Sequence, residues 1–107
     1  MQVRTSDNPS RSRFEVYADD ELVGFADYRI SGDRISITHT ETEPRLRGRG
    51  LASALIRSVL DFARSHGLAV LPFCPFVSSF IERNAAAYLD LVPEDQRARF
   101  GLELTRG

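Results

Sequence analysis

Between Pro44 and Leu51 the spacing of apolar residues changes from two to about 3.6, across a turn that holds two glycines. That switch limits the chain to strands first and helices after. From Arg13 the pattern alternates, with Phe14, Val16 and Ala18 on one face and Arg13, Glu15 and Tyr17 on the other. Asp19-Asp20 reads as a tight turn. Glu21 to Ile30 is a second strand, with Leu22, Gly24, Ala26 and Tyr28 on one side and Val23, Phe25 and Asp27 on the other. Ser31-Gly32-Asp33 signals a hairpin. Arg34 to about Thr40, rich in the β-branched Ile35, Ile37 and Thr38, is a third strand.

After the turn, Leu51, Leu55, Val59 and Phe62 recur at helical spacing, and Ile56 and Leu60 widen the stripe. Gly67 suits the end of that helix. Leu68-Ala69-Val70-Leu71 is a short apolar run of the kind covered on both faces, closed by Pro72, Cys74 and Pro75. A second helix is expected from about Phe76 or Val77 to Ala86 or Ala87, with Phe76, Phe80 and Ile81 inward. Tyr88 to Val92 fits no single period, and Pro93-Glu94-Asp95 opens a short last helix through Phe100. The fold class is α/β (α+β), a mostly antiparallel twisted sheet flanked by helices.

A length of 107 residues suits one core, with no repeat or linker in sight. Residues 1–12 are polar, with Pro9 and three serines, and read as a flexible arm before a single domain at 13–107. No apolar run approaches the roughly 18 residues of a membrane span, and Met1 to Arg13 lacks the apolar segment of a secretory signal. A cytoplasmic protein with no membrane partner is expected. One cysteine rules out an internal disulfide or a multi-cysteine metal site, and no metal is expected. All 14 basic side chains other than histidine are arginine, and the formal net charge of −1 argues against general nucleic-acid binding. The strand at Arg13 to Ala18 is an exposed edge that can pair between chains, so a monomer or weak homodimer is expected.

The turn itself is Arg45-Leu46-Arg47-Gly48-Arg49-Gly50-Leu51-Ala52. Two close glycines allow φ > 0 and close approach of backbone to a ligand. The amides that open the next helix lack intrahelical partners and lie at the positive end of its dipole. Together they make a cradle for a diphosphate, beside three guanidiniums suited to phosphate. No Lys-Ser or Lys-Thr follows the second glycine, so this is not a P-loop. The dinucleotide fingerprint wants a third glycine where Ser53 stands, and an acidic residue where the next strand ends in Cys74-Pro75. The plain alternative is a glycine-rich connection whose arginines are simply solvated.

Arg-x-x-Gly-x-Gly at a strand–loop–helix junction resembles the pyrophosphate loop of the GNAT superfamily of acyl-CoA N-acyltransferases. His39-Thr40-Glu41-Thr42 before it, Cys74-Pro75-Phe76-Val77 after the next strand, and Tyr88-Leu89-Asp90-Leu91-Val92 near the end extend the resemblance to the short, minimal GNAT-like family, over roughly Arg13 to Val92. The resemblance implies N-acetyltransfer from acetyl-CoA to an unidentified amine acceptor, a small molecule or a protein or peptide. It implies that the strand end, with Thr40 and Thr42, lends backbone groups to the pantetheine arm. Amides of Leu46 to Leu51, with Ala52 beyond them, would hold the diphosphate, and Arg45, Arg47 or Arg49 would reach the 3′-phosphate. The thioester would lie where the next strand splays away, close to Cys74. Two departures stand out. Asp19-Asp20 joins the first strands directly, leaving no room for the helices that wall the acceptor site in larger relatives. Arg83 to Ala87 lacks the His-Pro-containing pattern of the nearest family.

Cys74, His39 and Glu41 are the first candidates for catalysis, and the resemblance adds Tyr88. Cys74 offers the strongest nucleophile in the chain. A helix N-terminus favours its thiolate, Phe73 and Phe76 oppose it, and a small buried hydrophobe is the plain reading. His39 is a candidate general base, since an imidazole takes up a proton near neutral pH; a half-buried polar strand residue is its plain reading. Glu41 is the alternative base, or a partner for loop amides. Tyr88 would protonate the departing thiolate, or pack as an aromatic. His66 reads as a partner for the helix dipole. Direct attack by the amine and transfer through Cys74 are both open. So is a non-catalytic acyl-CoA-binding or regulatory module, to which the missing acceptor helices point.

Overall fold

The computed structural model describes residues 1–102; residues 103–107 of the expected domain lie outside the described residues. Five strands, β1 (Val3–Asn8), β2 (Arg13–Ala18), β3 (Glu21–Ser31), β4 (Arg34–Thr42) and β5 (Ala69–Pro72), form one sheet in sequence order. The first four are antiparallel and β5 runs parallel to β4. Helix α1 (Leu51–Ser65) makes the crossover between them, and α2 (Pro75–Arg83) follows β5. The α/β architecture read from the sequence is the one observed.

One face of the sheet packs on α1. Phe14, Val16, Ala26, Ile35 and Ile37 meet Leu55, Ile56, Val59 and Leu60, and every one of these is buried. The edge of Phe62 meets Phe14 at a ring separation of 5.2 Å. Directly opposed residues in an antiparallel ladder share a face. The register therefore assigns Asp7, Phe14 and Ala26 to the helix side along with Thr40. Arg13, Asp27 and His39 fall together on the other side, as do Glu15, Phe25 and Glu41.

The first residues are not a loose arm. Val3–Asn8 pairs along the whole of β2, and a 3-10 turn at Pro9–Arg11 ends in Ser12 at φ 52 to reverse the chain. Strand β1 buries no large apolar side chain, which is why apolar patterning misses it. Its polar side chains hold it instead. Thr5 Oγ1 donates to Ser58 Oγ of α1 at 2.9 Å, and Tyr28 donates from β3 to Asp7 at 2.7 Å. Strand β2 is consequently an inner strand, and the free outer edge belongs to β1.

Asp19 and Asp20 form the expected turn, both at positive φ as a two-residue hairpin requires. A bulge then corrects the reading of β3. Val16 pairs with Gly24 but Tyr17 with Leu22, so Val23 is an extra residue. Val23 turns into the core and Leu22 is left 41% exposed on the opposite face. A second bulge, at Thr38, lies between the Asp27–His39 and Tyr28–Ile37 pairs.

Helix α2 begins earlier and ends earlier than the pattern predicts. Pro75 occupies its first turn, where a missing N–H costs nothing. From that start Val77, Phe80 and Ile81 face inward, and Phe76 stays exposed. Asn84 stops the helix at φ −123 and donates its side-chain amide to Phe80 O at 2.8 Å. A separate turn, α3 (Ala85–Tyr88), follows, and the expected last helix is two 3-10 turns, Glu94–Gln96 and Ala98–Phe100.

Replacing Tyr28 by Phe removes a hydrogen bond to a carboxylate, a change of about 1.5–3 kcal/mol in a buried setting and nearer the low end beside a hydratable Asp7. The expected result is a fall in Tm of roughly 5–10 °C, with β1 amides losing hydrogen-exchange protection first. An unchanged Tm would show that backbone pairing alone holds β1.

Candidate functional site

The loop after β4 closes on itself before α1 begins. Leu46, Arg47 and Arg49 donate their amides to the carbonyls of Glu43, Pro44 and Leu46 at 3.0–3.3 Å. Gly48 and Gly50 sit at φ 84 and 76, and nothing lies within 4 Å of where either Cβ would stand. They are glycines for conformation, not for space. Gly50 is the N-cap of α1 and supplies no side-chain cap. Among the described residues the amides of Gly48, Gly50, Leu51, Ala52 and Ser53 have no backbone acceptor. The set free to meet an anion therefore begins later than the expected Leu46–Leu51.

The three arginines separate in role. Arg45 is turned back onto Glu21 at 2.7 Å, with Glu43 at 3.9 Å. Arg47 and Arg49 are exposed and form no ion pair among the described residues.

Along the C-terminal half of β4, before this loop, the sheet opens. Pairing with β5 stops at Ile37–Pro72, while β4 runs on to Thr42. Pro72 has no N–H to continue a ladder. The next amide, Phe73, turns back to Leu71 O at 3.1 Å, and Cys74 N–H takes Ile37 O at 3.0 Å. One edge of residues 38–42 is left without a strand partner, facing a gap whose closed end holds Cys74. Its side chain is 7% exposed, and Sγ lies 3.5 Å from Thr40 Oγ1.

Of the candidate site residues, two pairs meet: Cys74 with Thr40, and His39 with Glu41. His39 Nε2 is 3.7 Å from Glu41 Oε2, and both side chains are more than half exposed. The Phe25 ring lies 6.0 Å from the imidazole. Thr40 faces α1 and His39 faces away, so β4 itself separates the thiol from the imidazole. Tyr88 packs on Phe80 with ring centroids 5.9 Å apart. His66 stacks on Phe62 and its Nδ1 lies 2.9 Å from Phe62 O, which gives it the helix-end role read from the sequence.

The face that carries His39 holds features the sequence reading passed over. Glu15 is 5% exposed and accepts from Arg13, Tyr17 and Asn8. Arg13 lies over the Phe25 ring at 4.8 Å. Beside Phe25, a depression of about 260 Å³ is lined by Leu22, Glu41, Glu43 and Pro44. Leu22 reaches it only through the Val23 bulge, and alternation gives no signal for that. No helix among the described residues is long and apolar enough to cross a membrane.

The sequence model of the family described as GCN5-related N-acetyl-transferase matches residues 13–91. The chain belongs to that family. It is 40% identical over 63 residues to the streptothricin acetyltransferase of Streptomyces lavendulae, which covers 57% of this chain and 33% of that protein. It is 34% identical over 58 residues to Protein NATD1 of Bos taurus, covering 53% of this chain and 51% of that one. The chain thus spans a third to a half of the curated relatives it matches. A GCN5-like protein from Staphylococcus aureus has the same fold, with a TM-score of 0.64 at 21% identity over 86% of this chain and 87% of that chain.

Burial pushes the Glu15 carboxyl up, but hydrogen bonds from Tyr17, Arg13 and Asn8 outweigh it and hold the group below its ordinary value. A carboxyl lowered in the folded state adds stability above its unfolded pKa and loses it as the pH falls through the folded value. Glu15→Gln should therefore lower Tm at pH 7 and flatten the Tm–pH curve below about pH 4.5. Parallel acid melting of the two proteins checks this, and curves of equal slope would refute it.

Proposed function

We propose that the chain transfers an acetyl group from acetyl-CoA to an amine, with the amine entering on the sheet face opposite α1. The observation that carries this reading is the unpaired edge of β4. It runs from free amides and two unengaged arginines at one end to a partly closed gap at the other. The geometry suits an extended phosphorylated thioester. The amides of Gly48 and Gly50 to Ser53 hold the diphosphate, and Arg47 or Arg49 takes the 3′-phosphate. Backbone groups of residues 38–42 line the pantetheine arm, with the side chains of Thr40 and Cys74 walling the acyl end. Membership of the family supports the same assignment.

Bound acetyl-CoA supplies an activated acyl carbon; the protein supplies position and a proton acceptor. As the amine nitrogen bonds to that carbon and the carbon–sulfur bond breaks, His39 Nε2 takes the proton from nitrogen, with Glu41 stabilising the imidazolium. Amides on the free edge of β4 are the donors available to the developing oxyanion. Cys74 lines the gap and, lying on the far side of β4 from His39, takes no proton to it. A route through Cys74 is the second reading. It is favoured by the placement of Sγ in the gap, at the N-terminus of α2.

Thermal unfolding with acetyl-CoA tests the site first. Ligand at 100 times its Kd adds roughly 2.7 kcal/mol to the folded state, a Tm shift of about 10 °C or more in a domain of this size. Dephospho-CoA should give a smaller shift, and so should acetyl-CoA with Arg47→Ala or Arg49→Ala. No shift at millimolar ligand would end the reading.

His39→Ala should lower kcat by about 100-fold or more, the contribution of a general base, with little change in KM for acetyl-CoA. Cys74→Ala should retain turnover. Its loss, together with an acetyl adduct on Cys74 in the wild type by mass spectrometry, would establish the covalent route instead.

A further inference from the structure

Building on the acetyl-transfer reading, we propose that the depression between Leu22, Phe25, Glu41 and Glu43 is a second subsite for the acceptor. It takes a cationic group that an apolar chain joins to the reacting amine. Four observations converge on this ligand class.

The depression is lined by Phe25 and Glu41 of the face that carries His39, together with Gly24 and Thr42 of the helix side. One carboxylate oxygen of Glu41 approaches the imidazole at 3.7 Å, and Glu41 is also among the residues lining the depression. Phe25 bridges the two in the same way, lining the depression and lying 6.0 Å from the His39 ring. An acceptor seated here is already beside the proposed base.

The ionisable side chains lining the depression, Glu41 and Glu43, are both carboxylates. Two arginines, Arg45 and Arg13, make their shortest ion pairs with other carboxylates. Arg45 makes its short contact with Glu21 at 2.7 Å and reaches Glu43 only at 3.9 Å. Arg13 pairs with Glu15 at 2.8 Å and lies flat on Phe25. The long Arg45 contact, shared with Glu21, offsets Glu43 only in part, and the depression keeps net negative charge. An anionic substituent is repelled, and a wholly apolar one would take water from two carboxylates with nothing in return.

The floor is apolar by construction. The extra residue Val23 turns Leu22 out of the core to lie with Phe25, giving methylene groups a surface to cover. Metal binding is a poor match, since no group of three or more metal-ligating side chains occurs among the described residues.

Spacing completes the argument. Along extended chain at ~3.3 Å per residue, the Cα of Glu41 lies about 7 Å and that of Glu43 about 13 Å from the Cα of His39. A flexible chain of about six methylenes bridges that span, placing one nitrogen at the imidazole and the other between the carboxylates.

The test uses three acceptors with the same stem: hexane-1,6-diamine, hexylamine and 6-aminohexanoate. Each is assayed by CoA release at saturating acetyl-CoA and low salt. After halving for its two equivalent amines, the diamine should exceed hexylamine in kcat/KM by about threefold, the scale of an exposed ion pair. The aminohexanoate should fall below both. Added salt should compress the series, and Glu43→Gln should bring the diamine-to-hexylamine ratio towards one. Equal kcat/KM for the diamine and hexylamine would overturn the subsite.

A binding measurement separates this proposal from the reading beneath it. Without acetyl-CoA, the diamine should shift the NMR amide signals of Leu22, Phe25, Glu41 and Glu43, and hexylamine should do so less. Those shifts in a protein that fails to bind acetyl-CoA would keep the subsite and sink the transferase reading. Turnover with no such shifts and no charge preference would do the reverse.

Discussion

The hydrogen bond from Cys74 N–H to Ile37 O is the contact on which the site depends. It is where the parallel pairing of β4 and β5 is brought to a halt. Pro72 cannot extend the ladder, and Phe73 folds back on Leu71. Cys74 then spends its amide on the last carbonyl that β5 could have reached. Everything beyond Ile37 on that edge of β4 must find another partner, because a row of backbone donors and acceptors is costly to leave unmet away from water. In this fold the free edge begins beside a buried thiol and ends at the Gly turn. The same two prolines that stop β5 and start α2 thus create the gap that the proposed cofactor site uses.

Two bulges decide what each face of the sheet displays. A one-residue change of register moves side chains to the opposite face, and the extra residues at Val23 and Thr38 do this locally. Val23 fills the core, and Leu22 is turned outward onto the surface beside Phe25. Thr38 changes the phase of β4 between Ile37, which is wholly buried, and His39, which is more than half exposed. Without the second bulge, an imidazole two residues on from a core isoleucine would itself point into the core. With it, Thr40 and Thr42 take the helix side and His39 and Glu41 take the open side. The strand becomes a partition, with Thr40 and Cys74 behind it and His39 and Glu41 in front.

How much of this was legible follows from what each feature is made of. Strands β2 to β4 and helix α1 bury apolar residues at regular spacing, and their periods show it. The Gly turn is legible because conformation alone demands its glycines; the open space around both Cβ positions bears this out. Strand β1 was not legible, because its anchors are a ladder, the Thr5–Ser58 contact and the Tyr28–Asp7 contact, none of which leaves an apolar trace. The bulges were hidden for a related reason: alternation assumes one residue per pleat, and nothing in Leu22-Val23-Gly24 marks the extra one. Arg45 looked equivalent to Arg47 and Arg49 along the chain, and only the approach of Glu21 from the far end of β3 tells them apart. The stop at Asn84 depends on a side-chain bond to Phe80 O that competes with the helix, a preference of asparagine that spacing does not register.

An open acceptor face has a physical consequence for chemistry. His39 and Glu41 face solvent, where charges are well screened and their mutual attraction is small. The thiol, buried on the other side, has the dry surroundings and, among the described residues, the Thr40 hydroxyl as its side-chain partner. Burial and basicity are therefore divided between the two faces of one strand. Bringing them together requires a molecule that covers His39 while its nitrogen reaches through the gap. An acceptor with an apolar stem lying on Leu22 and Phe25 does both: it excludes water from the imidazole and adds a charge where the carboxylates wait. On that reading the acceptor itself supplies the wall over the imidazole.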